Sequence, residues 1–450
     1  MKILQLILIA GTLISGCATY QKQPLPSKNS WPMDLSRIEI DSSKMPFPEM
    51  VSHKFDPSDG LDMTEVAMIA VANNPALKLA RDDAGIAGAQ AYAAGLLPDP
   101  QIVFTPQFPQ GAVQGENVTA FDLGLNYDLG AIMTRSLRIS AADARRRQAD
   151  LILLWQEWQV VGQARLLFCR ILSMQDSMGI LKENRDLIAI RYEKERAALG
   201  NGDLMLTAVM ADGNALQGID KKISDGGRLI EKDRHALNAL LGLAPDTRLD
   251  LVGEARIAAL DRQEIARRLA NIANARPDLM ALRAGYEAQD LRLRQAILSQ
   301  FPAIGLGLLR ARDNTGINYN GFSLSLTLPI FDRNRGNIAI EKATRKRMHD
   351  EFQVRLDQAY GDVEQILADQ DLLERHLKSL SEDVENLSYL SGKAESVFKT
   401  GDMDLAAYSG LKDIELSKKA EMNAVVESIL EERIALLTLL GGQLPVKEFK

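Results

Sequence analysis

The chain carries four sequence landmarks twice, in the same order, and this repetition limits the folds open to it. Pro75, in an Asn-Asn-Pro-Ala-Leu segment, and Pro277, in an Ala-Arg-Pro-Asp-Leu segment, lie 202 residues apart. The other pairs are Leu97-Pro98-Asp99-Pro100 with Gln300-Phe301-Pro302 at the same offset, and Gly202-Asp203 with Gly401-Asp402 and Leu241-Gly242 with Leu440-Gly441 at an offset of 199 residues. Ordered landmarks of this kind indicate an internal duplication. We therefore expect two structural repeats, residues 61–250 and 261–450.

Each repeat contains a long stretch without proline, the strongest helix breaker. No proline occurs between Pro109 and Pro245, or between Pro329 and Pro445. Each stretch can therefore hold a helix far longer than the usual ~11–12 residues. In the second repeat, the 67 residues from Arg333 to Lys399 would span ~100 Å as one continuous helix.

Within that helix, apolar residues recur every seven positions and predict a coiled-coil seam. The main row is Ile366, Leu373, Leu380, Leu387 and Ala394, with Val363, Leu377 and Val384 as a companion row. Gln370 and Ser391 interrupt this pattern. Gly200, Gly202 and Gly401 break the two long patterns at matching places. These glycines predict a helical hairpin in each repeat, made of a long helix, a tight turn and an antiparallel return helix.

Two shorter segments, residues 120–129 and 321–330, alternate between apolar and small or polar residues, as strands do. Each has an upstream strand as its neighbour, residues 101–108 in the first repeat and 303–311 in the second. Strands of this length with one apolar face are typical of membrane β-barrels, although two amphipathic hairpins on a soluble core are the alternative. Four strands cannot close a barrel in a membrane, so a barrel would have to be shared between copies of the chain.

The N-terminus has the features of a bacterial lipoprotein signal. A basic start is followed by an apolar run over residues 3–14 that is too short to span a bilayer. The run ends in Leu13-Ile14-Ser15-Gly16-Cys17, which resembles a lipobox. We therefore expect residues 1–16 to be a signal peptide and Cys17 to be lipidated, with ordinary secretion as the alternative. Ala18 favours delivery to the outer membrane, and residues 17–60 are predicted to form a proline-rich extended arm.

Composition and motifs exclude several other classes of function. Lys and Arg number 53 against 60 Asp and Glu, for a net charge of -7, which disfavours nucleic acid as a partner. The four histidines show no paired ligand spacing, and no catalytic or nucleotide-binding motif occurs. Cys169 is predicted to be a buried or seam residue. We therefore expect no enzymatic activity, no cofactor and no metal site.

The repeated order of helix, β-hairpin and long helical hairpin resembles the TolC-type outer-membrane efflux protein family. Two segments add to the resemblance, Asn73-Asn74-Pro75-Ala76-Leu77 and Leu328-Pro329-Ile330-Phe331-Asp332. The lipobox matches the lipoprotein branch of that family, and the resemblance covers residues 55–445.

This resemblance implies a mainly α chain with a small β part. It also implies a homotrimer whose twelve strands form one barrel in the outer membrane, above a periplasmic helical barrel. The function implied is a channel that receives substrates from a periplasmic membrane-fusion adaptor and an inner-membrane efflux pump. The alternative is a lipid-anchored periplasmic coiled-coil scaffold without a pore.

The turns of the helical hairpins are where the resemblance places the periplasmic gate. Many family members have acidic residues about six positions after the turn glycine, but Ala208 and Ala407 occupy those positions here. Nearby gate candidates are Asp203, Asp402 and Asp404, which would form an acidic ring in a trimer. The favoured prediction for Asp203 and Asp402 is that they cap the return helices, a role that can coexist with the acidic ring. Candidate contacts with the adaptor, by resemblance, are Gly200, Gly202 and Gly401.

Overall fold

The computed structural model describes residues 20–29, 31, 40–108, 118–255, 257–259 and 261–441. The helices of eight or more residues are α2 (Met63–Asn73), α3 (Pro75–Gly95), α5 (Arg135–Asn201), α6 (Leu206–Leu240), α7 (Arg262–Ala270), α9 (Pro277–Leu298), α10 (Arg335–Thr400) and α11 (Leu405–Leu440). Short helices are α1 (Pro48–Ser52), α4 (Leu129–Met133) and α8 (Ile272–Ala275), and the strands are β1 (Gln101–Gln107), β2 (Ala120–Asp128), β3 (Ala303–Arg312) and β4 (Asn318–Thr327). The predicted signal peptide and Cys17 lie outside the described residues. Of the helices described, none is long and apolar enough to cross a membrane.

The same elements occur twice along the chain. A helix of about twenty residues, a β-hairpin, a very long helix and a return helix follow one another as α3, β1, β2, α5 and α6, and again as α9, β3, β4, α10 and α11. Helices α5 and α10 contain 67 and 66 residues, so each spans ~100 Å. The prediction of a mainly α chain with a small antiparallel sheet is confirmed.

The seam predicted for α10 is buried along much of its length. Val363, Leu380, Val384 and Ala394 are all buried. Leu380 packs in a cluster with residues of α11, which returns along the seam. The return is antiparallel because the long helix ends at Gly401, which has a φ of 86° that an L-residue with a side chain rarely adopts.

The four strands form one antiparallel sheet in the order β1-β2-β3-β4. Strand β4 covers 318–327 rather than 321–330. Its last pair in the sheet joins Ala303 to Thr327. Pro302 precedes Ala303 and has no N–H to donate, so the ladder between β3 and β4 stops at this pair.

The landmarks at the two ends of the first repeat meet in space. The side-chain amides of Asn73 and Asn74 donate to the carbonyl oxygens of Leu241 (2.6 Å) and Leu240 (2.7 Å). Asn74 also caps α3, because its Oδ1 accepts from the Leu77 N–H at 3.0 Å. These amides therefore join the end of α6 to the junction between α2 and α3. Around this joint α2 is buried over residues 65–71 and packs with α5 and α6 in the largest apolar core.

The joint predicts a stability effect at Gly242. This residue has a φ of 66°, and a Cβ there would lie 2.5 Å from the Asn73 carbonyl oxygen and 2.9 Å from its amide nitrogen. Gly242→Ala should therefore lower the free energy of unfolding by about 2–3 kcal/mol, measured by urea denaturation followed by circular dichroism. The matched control is Gly218→Ala in α6, where no atom lies within 4 Å and a gain of up to about 1 kcal/mol is expected. Equal midpoints for the two variants would contradict this account of the joint.

Candidate functional site

The sheet has one strongly apolar face. The register aligns Ile102, Leu125, Leu308 and Phe322 in one row across all four strands. The row is exposed, with 72% of Ile102 and 92% of Phe322 accessible. A continuous exposed apolar surface of this kind marks a face that meets another apolar phase rather than water.

The opposite face is small and polar, and two glycines in β3 make it so. Gly307 lies between Asn126 and Ser323 in the register, and a Cβ on Gly307 would collide with both of their side-chain oxygens. Likewise, a Cβ on Gly305 would collide with the hydroxyl oxygen of Ser325. The glycines therefore allow polar side chains from the neighbouring strands to lie over β3. This face consequently presents small polar groups at these positions.

Both outer strands of the sheet have a free edge. Within the described residues, β1 pairs only with β2, and β4 pairs only with β3. The N–H and C=O groups along the outer sides of β1 and β4 have no strand beside them. A sheet edge of this type pairs readily with a strand of another chain.

The turns at the hairpin ends contain all three acidic gate candidates. Asp203 and Asp402 each follow a turn glycine, Gly202 or Gly401, and their backbone N–H groups bond back to Ala198 (2.9 Å) and Val397 (3.1 Å). These bonds close the C-terminal ends of the long helices, in the pattern of a Schellman motif. Gly200, by contrast, lies inside the last turn of α5.

The prediction that Asp203 and Asp402 cap the return helices is wrong. Helix α11 is capped by Asp404, whose Oδ1 accepts from the Ala407 N–H at 2.7 Å. At the start of α6 the capping position is Met205, which makes no side-chain cap bond. The physical reason is position, because a cap must directly precede the first helical residue. The side chains of Asp203 and Asp402 are exposed, and Asp402 accepts a bond from the Thr400 hydroxyl at 2.9 Å.

A buried polar cluster, which we call the latch cluster, lies a few turns above the hairpin ends. It consists of Asn184 and Arg191 on α5, Asp212 on α6, and Ser409 and Asp413 on α11. The Arg191 guanidinium donates to both oxygens of Asp212 and, at 3.0 Å, to the Ser409 hydroxyl. Asn184 donates to Asp413 at 2.6 Å. The cluster therefore ties α11 of the second hairpin to α5 and α6 of the first.

Glu415, farther along α11, is the most deeply buried acid of this region. It is 3% exposed and accepts bonds from Lys419, Lys412 (3.1 Å) and Ser388 (2.9 Å). Burial alone would raise the pKa of the Glu415 carboxyl, but bonds from Lys419, Ser391 and Lys412 outweigh it and lower the pKa to about 2. The carboxylate is therefore ionised at neutral pH and links α11 to α10 through Ser388 and Ser391.

A second group of titratable side chains lies at the start of α2. The His53 Nε2 is 3.3 Å from Asp62 Oδ2 and 4.0 Å from Glu65 Oε1, a spacing that the sequence did not indicate. Asp62 and Glu65 form a capping box, in which Asp62 accepts from two N–H groups of α2 and Glu65 accepts from the Asp62 and Asp56 N–H groups. Three of the four carboxylate oxygens are thus bonded to backbone N–H groups at the helix end, and the fourth, Asp62 Oδ2, faces His53. We therefore assign the group a structural role.

Sequence reasoning missed the latch cluster and Glu415, although one signal was present. Ser391, which interrupts the heptad pattern, is 3% exposed and bonds to Glu415. A polar residue in an otherwise apolar seam therefore marked the place where a polar partner lies on the facing helix. Arg191 and Asp212 gave no such signal, because α5 and α6 show no clear heptad row at these positions.

The fold is that of solved outer-membrane channels. The structure of CusC, a protein studied for transmembrane channel formation, matches with a TM-score of 0.70 at 16% identity over 95% of this chain and 100% of CusC. The CmeC outer membrane channel of Campylobacter jejuni matches with a TM-score of 0.68 at 16% identity, over 96% of both chains. At these identities the likeness concerns the fold alone.

Sequence comparisons identify a protein family that part of the chain resembles. Residues 269–442 match the family described as outer membrane efflux protein. The probable outer membrane lipoprotein SilC of Salmonella typhimurium is 25% identical over 180 residues. The family match lies within the second repeat and covers less than half of the chain. The region shared with SilC spans 37% of this chain and 38% of SilC. The matched family is one of efflux proteins and the solved structures with this fold are outer-membrane channels. The absence of catalysis stays a prediction.

The lowered pKa of Glu415 gives a pH-dependent prediction. A carboxyl with a lower pKa in the folded state stabilises the fold above its unfolded pKa of ~4.3, and this contribution is lost as the pH falls toward 2. Glu415→Gln should therefore lower the free energy of unfolding by about 2–3 kcal/mol at pH 7, and the difference from the parent should shrink at pH 3. Thermal melting at the two pH values measures this. Glu395→Gln, at an exposed pair with Lys399, is the control and should cost at most about 0.5 kcal/mol. A deficit that is equal at both pH values would contradict the assignment.

Proposed function

We propose that the chain is the outer-membrane channel of a tripartite efflux system and that three copies close their sheets into one twelve-stranded barrel. The observation that carries this proposal is the four-stranded sheet with an exposed apolar face, a small polar face and two free edges. Lipid covers the apolar face and water fills the space inside the polar face.

The strand number supports closure by identical copies. Because each copy supplies an even number of antiparallel strands, β4 of one copy runs antiparallel to β1 of the next, as everywhere else in the sheet. Two copies would give eight strands, whose interior is filled by side chains. Three copies give twelve strands and a wider lumen, lined by Asn126, Ser323 and Ser325.

The long helices then form the periplasmic part of the duct. In this arrangement the tunnel narrows at the hairpin ends, where Asp203, Asp402 and Asp404 lie exposed in the turns. Met205, Leu206 and Met210 are exposed beside the first turn, at 79%, 58% and 56%. We assign these turns, with Gly200, Gly202 and Gly401, to contact with a periplasmic membrane-fusion adaptor, through which an inner-membrane pump delivers substrate. Cys17 anchors each copy to the membrane through its lipid.

A scaffold without a pore is the competing function. In that case the apolar face of the sheet would be exposed to water, and Phe322 and Leu326 would serve no purpose on it. The two functions differ in the expected effect of a charged residue on the apolar face.

Substitutions at two adjacent residues of β4 offer a test of the channel function. Leu326→Asp places a charge on the apolar face and should cost about 1–3 kcal/mol per copy in lipid, so trimers in outer-membrane extracts should fall several-fold. Ser325→Asp, one residue away on the polar face, is the matched control and should leave assembly intact. The measurements are native mass and single-channel conductance in planar bilayers. Equal tolerance of both substitutions, or a parent protein without conductance, would favour the scaffold.

The latch cluster gives a test of gating. Asp212→Asn combined with Ser409→Ala removes the carboxylate charge and one of the two acceptor oxygens that Arg191 uses on α6, and the hydroxyl acceptor on α11. The hairpin ends should therefore separate more often, and the open probability should rise several-fold. The control is Arg185→Gln with Asp220→Asn, which breaks an exposed pair joining α5 and α6 at 3.0 Å. Since that pair contributes only about 0–1 kcal/mol and does not reach α11, conductance should not change. Identical conductance traces for parent and Asp212 variant would place the gate elsewhere.

A further inference from the structure

Two arginines lie on the apolar face of the sheet, at the end farthest from the long helices. Arg310 and Arg312 follow Leu306 and Leu308 at every second position of β3. Alternate residues of a strand share a face, so the guanidinium groups continue the apolar row. The loop between β3 and β4 begins directly after Arg312, so this is the hairpin end of the sheet.

The chemistry of the face changes at these two residues. On the β4 side, Leu308 and Leu306 face Phe322 and Leu324, whereas Arg310 and Arg312 face Asn320 and Asn318. On the β2 side, the two arginines lie beside Leu123 and Phe121. From Ile304 to Arg310 the strand rises ~20 Å along its own axis, or ~15 Å along the membrane normal at the ~35–45° tilt of barrel strands, so the ~25 Å apolar band must include residues below β3. On the side of β4, Arg310 therefore marks the outer boundary of the apolar band.

Among the described residues, neither Arg310 nor Arg312 forms an ion pair with an acid. The Nε atom of Arg312 is buried and has no hydrogen-bond partner among these residues. The acid nearest in sequence, Asp313, is committed to its own turn. Its Oδ1 accepts from the N–H groups of Thr315 and Ile317 at 2.9 Å, and its Oδ2 accepts from the Tyr319 hydroxyl at 2.7 Å. Two cationic groups thus lie at an apolar boundary with their charge uncompensated by the described chain.

A shallow groove leads along the apolar face to Arg310. It spans two neighbouring rows of the register, one with Ile102, Leu125 and Leu308 and the next, toward the hairpin end, with Leu123, Arg310 and Asn320. The first row is apolar, and polar groups enter only in the second. This is the polarity of a lipid, with a chain along the strands and a headgroup beside the guanidinium.

We propose that Arg310 and Arg312 bind the phosphate of a lipid headgroup in the outer leaflet. This inference rests on the proposed function, because only a membrane-inserted sheet presents this face to lipid. A guanidinium presents two parallel N–H donors to phosphate oxygens, which makes arginine a strong and directional ligand for this group. A charge at the edge of the band costs only about 0–1 kcal/mol, so the arginines do not oppose insertion.

The test is native mass spectrometry of the full-length trimer in detergent, titrated with lipid A carrying two phosphates, lipid A carrying one, and phosphatidylcholine. The parent should retain the two-phosphate lipid best and phosphatidylcholine least. R310Q with R312Q should weaken retention of the phosphorylated lipids about tenfold, while R310K with R312K should fall between, since lysine keeps the charge and loses the paired donors. R355Q is the matched control, because Arg355 is exposed on α10 and far along the chain from the sheet.

The outcomes separate this inference from the proposed function. Trimers that conduct normally but bind lipid equally in the parent and in R310Q with R312Q would overturn the lipid site alone. Release of the lipid by millimolar inorganic phosphate, with no dependence on its acyl chains, would also overturn it. A parent that forms neither trimers nor channels would contradict both, because no lipid-facing surface would then exist.

Discussion

Backbone hydrogen bonding at the sheet edges sets the requirement that the rest of the molecule meets. In hydrocarbon, each unpaired N–H or C=O costs several kcal/mol, and among the strands that the structure describes β1 and β4 both have a free side. One chain cannot remove this cost by itself, since four strands are too few to close. Association of identical copies removes it, and the exposed apolar face then becomes an advantage because lipid, unlike water, solvates it well.

The duplication explains how a single chain supplies both four strands and the long helices that adjoin them. Each repeat contributes one β-hairpin and one long helical hairpin, and β2 of the first repeat pairs with β3 of the second. Joints lie at the chain reversals of both repeats. At the first joint, Asn73 and Asn74 bond across to the end of α6. At the second, Gly441 lies against Ala275 and Trp158, so the matching landmark is again at the reversal. Sequence landmarks at fixed offsets therefore mark positions where backbone meets backbone.

Much of this architecture could be predicted because it depends on local rules. Proline distribution and heptad spacing indicated the long helices, and alternation indicated the strands. The predictions that failed depended on a neighbour. The end of β4 depends on Pro302, which precedes the facing strand β3. The cap of α11 is Asp404 because Asp404 directly precedes the first helical residue, whereas the backbone of Asp402 closes the preceding helix. Arg191 and Asp212 are on different helices, so their pairing follows from three-dimensional packing that spacing along the chain does not report.

The two kinds of seam contact have different consequences for motion. An apolar seam, such as Leu380 against Val425 and Ile429, is stable in any aqueous state because separation exposes the apolar area to water. The contacts between the two hairpins near their ends are instead Arg191 with Asp212 and Ser409, and Asn184 with Asp413. Water can replace those partners, so separating the hairpin ends costs the net value of a few polar bonds rather than their full strength. In the channel proposed above, the polar contacts between the two hairpins would therefore allow opening at the entrance, while the apolar seam within the second hairpin would keep α10 and α11 together.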